Sequence, residues 1–148
     1  MRRTRFDDAH CPVARTTDLL GDWWTPIVLR DLLVGRHRFN DIRERTGISR
    51  AILSARLKRL ESEGIVERTQ YDDNPPRHEY HLTDKGRALG DIVVTMWRFG
   101  DDWMFDRSPG ALVELVDRRT GEPIKARVVD ERTGEPINLA DVRIRPRR

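Results

Sequence analysis

Apolar residues in the first hundred positions recur at helical spacing, stop at glycines and prolines, and switch once to strict alternation. Val13, Leu19 and Leu20 mark a helix over residues 12–21, with Cys11 at its cap and Pro12 at the first helical position, where a missing N–H costs nothing. Ile27, Val28 and Leu32 repeat the pattern over residues 25–33, and Gly35 ends it. Asn40 then caps a short helix, Gly47 supplies a turn, and Ser49 caps a helix that runs to residue 63. In that helix Leu53, Leu57 and Leu60 fall at i, i+4 and i+7, a stripe that must face a core. Two short helices meeting at a glycine corner have the sequence shape of a helix-turn-helix.

Beyond Gly64 the period becomes two. Ile65, Val66, Arg68 and Gln70, then Glu79, Tyr80, His81 and Leu82, predict two strands joined by a rigid polar loop, residues 72–77, whose prolines should not continue a sheet. Thr83 caps a long helix over residues 84–104 with Leu89, Ile92, Val93, Met96, Trp97, Gly100 and Trp103 three and four apart. Such a stripe is too long and aromatic for a small core, and it predicts pairing with a second copy across a twofold axis. The dimerisation set is Leu19, Leu89, Ile92, Val93, Met96, Trp97 and Trp103. After Pro109-Gly110, the nine residues from Val116 to Ile124 recur almost unchanged thirteen positions later, too few copies for a solenoid. The β-branched runs around each Thr-Gly predict a small three-stranded meander that needs docking to be stable. The predicted fold is therefore α+β. A winged helix-turn-helix with a long C-terminal dimerisation helix occupies residues 1–108, and a β extension occupies residues 109–148.

Composition narrows the function. A chain of 148 residues makes one domain with an appendage, and its ten aromatic residues exclude wholesale disorder. The single cysteine, Cys11, excludes an intrachain disulfide and any Cys-pair zinc site. No apolar stretch reaches the ~20 residues of a membrane span. Arg2, Arg3 and Arg5 are followed by Asp7 and Asp8 where a secretory signal would place apolar residues, so a cytoplasmic location is expected. No Gly-rich phosphate loop, nucleophile–base pair or ligand cluster is present, so neither an enzyme nor a cofactor is expected. His78 and His81 lie three apart on a strand, a poor chelate, and His10 and His37 are expected exposed at helix boundaries.

A net charge of +3 does not by itself argue for nucleic acid, so placement decides. From Ser49 to Leu60 there are four positive charges and no acid. Opposite the leucine stripe lie Ala51, Ser54, Ala55, Lys58, Arg59 and Ser62; small residues admit a helix deep into a groove while basic ones reach phosphates. The DNA-contact candidates are Ser49, Arg50, Ala51, Ser54, Ala55, Lys58 and Arg59, with Arg38, Asn40 and, in the wing loop, Arg77. Arg56 lies nearer the core flank and suits an acidic neighbour; Arg77 could instead pair with Asp72 or Asp73. The bland alternative is a winged helix serving as a protein-interaction module.

Cys11-Pro12-Val13, Asp18-Leu19-Leu20-Gly21-Asp22-Trp23-Trp24, Leu29-Arg30-Asp31-Leu32, Arg38-Phe39-Asn40, Ile48-Ser49-Arg50, Gly64-Ile65-Val66, Pro75-Pro76-Arg77, Glu79-Tyr80 and Leu82-Thr83 together resemble the HxlR family of bacterial transcriptional regulators, relatives of the MarR type. The resemblance implies a cytoplasmic, homodimeric DNA-binding protein; with two recognition helices, a repressor on a pseudo-palindromic operator in double-stranded DNA is expected. It implies the helix from Ser49 in the major groove, Arg77 at the neighbouring minor groove, and the first and last helices at the dimer interface. In several members a cysteine at the position of Cys11 senses electrophiles or oxidants, while others answer to small ligands. Cys11 is thus a redox candidate or a plain helix cap. Trp23, Trp24, Trp97 and Trp103 are candidates for an effector pocket or for core and interface filling. Some members carry a Cys-rich ribbon at the C-terminus. Arg132-Thr133-Gly134-Glu135-Pro136 looks like such a knuckle without its cysteines, and no metal is expected there.

Overall fold

The computed structural model describes residue 6 and residues 10–105 and 110–146. The start of the chain around Arg2, Arg3, Arg5, Asp7 and Asp8 lies outside the described residues, as does Pro109. Contacts divide the chain into two compact units, Met1–Val93 and Val94–Arg148.

The first unit contains α1 (Pro12–Leu20), α2 (Thr25–Leu33), α3 (Phe39–Thr46), α4 (Arg50–Ser62), β1 (Val66–Asp73), β2 (Pro76–Leu82) and α5 (Asp84–Ala88). Its core is built from Val28, Leu29 and Leu32 of α2, Ile42 and Ile48, the α4 stripe Leu53, Leu57 and Leu60, and Ile65, Val66 and Leu82 at the root of the sheet. Asp22 starts α2 by accepting hydrogen bonds from the backbone N–H groups of Trp24 and Thr25, both at 2.9 Å. Gly47, in the left-handed region at φ 72°, ends α3 with its N–H on the Arg43 carbonyl. Ser49 then caps α4 by accepting from the Ile52 N–H. This is an α+β winged helix-turn-helix, as the sequence predicted.

Three boundaries differ from expectation, each for a local reason. The cap of α3 is Arg38, and Asn40 sits in the first turn. Residues 37 and 38 are held extended beside β2, with Tyr80 N donating to His37 O at 2.8 Å and Arg38 bridged to Glu79, which fixes where the helix begins. The wing strands run to Asp73 and restart at Pro76, so residues 72–77 belong mostly to the ladder, and the turn shrinks to Asn74 and Pro75. Proline is tolerated because Pro76 opens its strand in a two-stranded ribbon. The long C-terminal helix is interrupted at Leu89, giving α5 and then α6 (Gly90–Trp103). Two glycines flank the break because neighbours press close. A Cβ on Gly86 would stand 2.1 Å from the Ile65 carbonyl oxygen, and one on Gly90 3.2 Å from Leu33.

The second unit contains the rest of α6 and the C-terminal extension. The expected three-stranded meander is not there: residues 110–146 contain two single-bridge hairpins, Val116 with Pro123 and Val129 with Pro136, and one 3-10 turn at Leu139–Asp141. The bridging prolines explain the correction, because each occupies the position that would have to donate to a continuing ladder. The sequence repeat is instead a repeat of turns. Asp117 Oδ1 accepts from Arg119 N at 2.7 Å and Thr120 N at 3.3 Å, and Asp130 Oδ1 from Arg132 N at 2.8 Å. Gly121 and Gly134, at φ 76° and 73°, each donate back to the aspartate carbonyl at 2.7 Å. An aspartate thus gathers the turn N–H groups that a metal-bound thiolate would gather in a zinc knuckle.

Candidate nucleic-acid interface

Helix α4 has one face in the core and one in the open. Leu53, Leu57 and Leu60 are buried, while Ser49, Arg50, Ala51, Ser54, Ala55 and Lys58 are exposed. The exposed strip has methyl and hydroxymethyl groups along its middle and cations at its margins, without a carboxylate. Arg59 leaves this set. Its Nη2 donates to the Asp18 carbonyl at 2.9 Å and lies 3.3 Å from the Asp18 carboxylate, so it ties α4 to α1. Helical angle alone placed Arg59 outside; the packing of α1 against that flank leaves it partly covered. Arg56, on the other edge of the stripe, meets Asp22 at 3.1 Å.

Four of the candidates meet in one cleft. Arg38, Asn40, Arg50 and Arg77 line a space of about 460 Å³ together with Phe39 and Tyr71, and among the described residues Asp41 is its only acidic lining residue. The Arg38 guanidinium lies 4.5 Å from the centre of the Tyr71 ring and that of Arg50 5.4 Å from the Phe39 ring, both within cation–π range. Arg38 Nε donates to Glu79 Oε1 at 3.0 Å. That bond holds the Glu79 carboxyl below the usual glutamate range and raises the Arg38 guanidinium further. Arg77 is over half exposed and only loosely paired with Asp72, at 3.9 Å.

Sequence reasoning missed Tyr71 and Glu79, and it left His37 exposed at a helix boundary. His37 stacks on His81 with ring centroids 4.3 Å apart, its Nδ1 3.0 Å from the Tyr80 carbonyl oxygen. These contacts join positions more than forty apart in the chain, so no local pattern could signal them.

Cys11 is exposed at the α1 N-terminus, and its thiol makes no capping bond. Beside it, Pro12, Val13, Thr16, Leu20 and Ile92 border an apolar groove of about 440 Å³. Trp23 is 88% exposed, Trp24 packs against the core of the first unit, and Trp97 and Trp103 line a cleft of about 390 Å³ within the second unit. Of the dimerisation set, Leu19, Leu89 and Val93 pack on their own core. Met96 and Trp103 are exposed, in a stripe with Phe99, and Ile92 is half-buried at the groove. Among the described residues no helix is long and apolar enough to cross a membrane, and no group of three or more His, Cys, Asp or Glu could hold a metal ion.

A family model described as HxlR-like helix-turn-helix matches residues 19–108. The chain is 37% identical over 105 residues to sll1512 of Synechocystis sp., an uncharacterized HTH-type transcriptional regulator, spanning 70% of this chain and 78% of that protein. It is similar to the crystal structure of PA1607, a candidate transcription factor, with a TM-score of 0.85 and 34% identity, over 96% of this chain and 99% of that one. It is also similar to the redox regulator HypR in its oxidized form, with a TM-score of 0.58 and 39% identity, over 62% of this chain and 96% of that one. A likeness over 96% of the chain takes in the C-terminal extension, which the shorter match to HypR cannot.

Proposed function

This chain belongs to the HxlR-like helix-turn-helix family of transcriptional regulators, and on that premise we propose that it is a sequence-specific, dimeric DNA-binding repressor of the cytoplasm. Each subunit inserts α4 into a major groove, with Ala51, Ser54 and Ala55 against base edges and Arg50 and Lys58 at the groove walls. The wing tip, with Arg77, reaches the adjacent minor groove. The observation that carries this reading is the exposed, acid-free strip of α4 lying beside a cleft lined by three arginines. Residues 1–108 supply DNA binding and dimerisation, and residues 109–148 form the extension.

The second copy covers the exposed apolar residues Met96, Phe99 and Trp103 of α6. A twofold dimer sets the two recognition helices about one helical turn, roughly 10–11 base pairs, apart on a near-palindrome. A footprint on DNA upstream of the protein's own gene tests the reading. Two protected half-sites at that spacing support it, and an unprotected region contradicts it.

Control through Cys11 is the reading favoured for the signal, because the thiol is exposed at a helix N-terminus and HypR is a redox regulator. With no second cysteine, oxidation joins two subunits or attaches a small thiol. Repeating the footprint after diamide and after a quinone tests this: protection is lost in the native protein and kept in Cys11→Ser. Unchanged protection in both favours instead a small ligand in the cleft at Trp97 and Trp103.

A further inference from the structure

We infer that Glu79 and Tyr71 are positioning residues for DNA binding: together they hold Arg38 at the mouth of the cleft in the orientation in which it receives a backbone phosphate. The inference rests on the DNA-binding reading and adds residues that neither helix of the helix-turn-helix contains.

Five contacts define the arrangement. The Arg38 backbone is pinned to β2 by its bridge to Glu79 and by the adjacent Tyr80 N–H on His37 O. The guanidinium Nε donates to Glu79 Oε1 at 3.0 Å, and its Cζ lies over the Tyr71 ring, 4.5 Å from the centroid. Glu79 is itself anchored, since its other oxygen lies 3.4 Å from His81 Nε2. Tyr71 stands at the irregularity of the ladder between Gln70 and Asp72, where the extra residue departs from the regular alternation of β1.

Arg38 is therefore held at its Nε and over the Tyr71 ring, while its two Nη groups make no hydrogen bond among the described residues and the side chain remains 54% exposed. A guanidinium with a free terminal fork suits a phosphate, and holding it beforehand removes ordering entropy that a free arginine would lose on binding. The carboxylate makes the idea decisive. Glu79 adds a negative charge near a polyanion, so as a bystander it opposes binding; it favours binding only by placing Arg38.

The test is fluorescence anisotropy with the footprinted duplex and an unrelated duplex across a salt series, each variant first checked by thermal melting. Arg38→Ala should weaken both duplexes alike, about tenfold, and reduce the log–log salt slope by about 0.9, one phosphate. Glu79→Gln should weaken binding several-fold although it removes a negative charge. Tyr71→Phe should bind like the native protein and Tyr71→Ala less well. Tyr71→Ala on top of Arg38→Ala should add nothing. Equal or tighter binding by a folded Glu79→Gln protein overturns the positioning role, as does an unchanged slope in Arg38→Ala. Native protein that gives no salt-dependent complex with either duplex overturns the DNA-binding reading itself, so the two failures are told apart.

Discussion

Residues 25–82 and residues 110–146 reach order by different means. The first stretch surrounds a continuous set of leucines, isoleucines and valines from α2, α3, α4 and the wing. The second buries no residue fully, leaves Leu112, Leu139 and Ile144 largely exposed, and is shaped by aspartate-to-backbone hydrogen bonds inside two near-identical turns. Burial makes positions interdependent, because a core side chain touches many others; a local turn depends on little beyond its own residues. The two stretches should therefore respond differently to comparable changes.

The largest contrast is a truncated aliphatic side chain. Leu57→Ala empties a site 1% exposed and should cost about 2–5 kcal/mol by chemical denaturation, whereas Val128→Ala, half exposed, should stay within about 0.5 kcal/mol. Equal losses would mean that the extension contributes to the main cooperative unit. Glycine substitutions give a smaller contrast. Gly86→Ala drives a methyl into the Ile65 carbonyl and should cost about 1–3 kcal/mol of global stability. Gly121→Ala meets open space but must hold φ near 76°, a strain of about 1–2 kcal/mol. That strain should appear as faster hydrogen exchange within one hairpin, with the global melt unmoved.

The smallest effect is acid titration, which compares one half-buried carboxylate from each stretch. The Arg119 side chain, then the Arg119 and Thr120 N–H groups, lower the Asp117 carboxyl, and Arg38 lowers that of Glu79. Folded values below the unfolded ones, about 3.9 and 4.3, mean that both contributions are complete above those values and are lost as pH falls through the folded ones. Carboxyl NMR should show both midpoints depressed, and Asp117→Asn should remove the acid sensitivity of its hairpin alone. A midpoint at the unfolded value would remove the Arg119 contact.

The same contrast explains what the sequence made legible. The stripe of Leu53, Leu57 and Leu60, the Ser49 cap and the Gly47 corner are rules about neighbours three or four residues apart, and all of them hold in the fold. The outer strip of α4 follows from that geometry, apart from Arg59, whose position depends on where α1 packs. The meander was misread because Val and Ile around Thr-Gly suit a strand, while Pro123 and Pro136 decide that no ladder continues. Asp31, fully buried between Arg30 and Arg36, gave no local sign beyond an Arg-Asp pair, and among the described residues its Oδ2 has no hydrogen-bond partner. Tyr71, Glu79 and the His37–His81 stack required the register of β1 and β2 to be known first.

The central claim is that the open side of α4 lies on duplex DNA, and the salt dependence of binding tests it most directly. The affinity of the native protein for its footprinted duplex should fall with a log–log slope of about −5 to −9, as for six to ten neutralised phosphates. Joint replacement of Arg50 and Lys58 by alanine should flatten that slope by about 2 without shifting the melting temperature. A native slope near zero, or one that the double replacement leaves unchanged, would contradict the account.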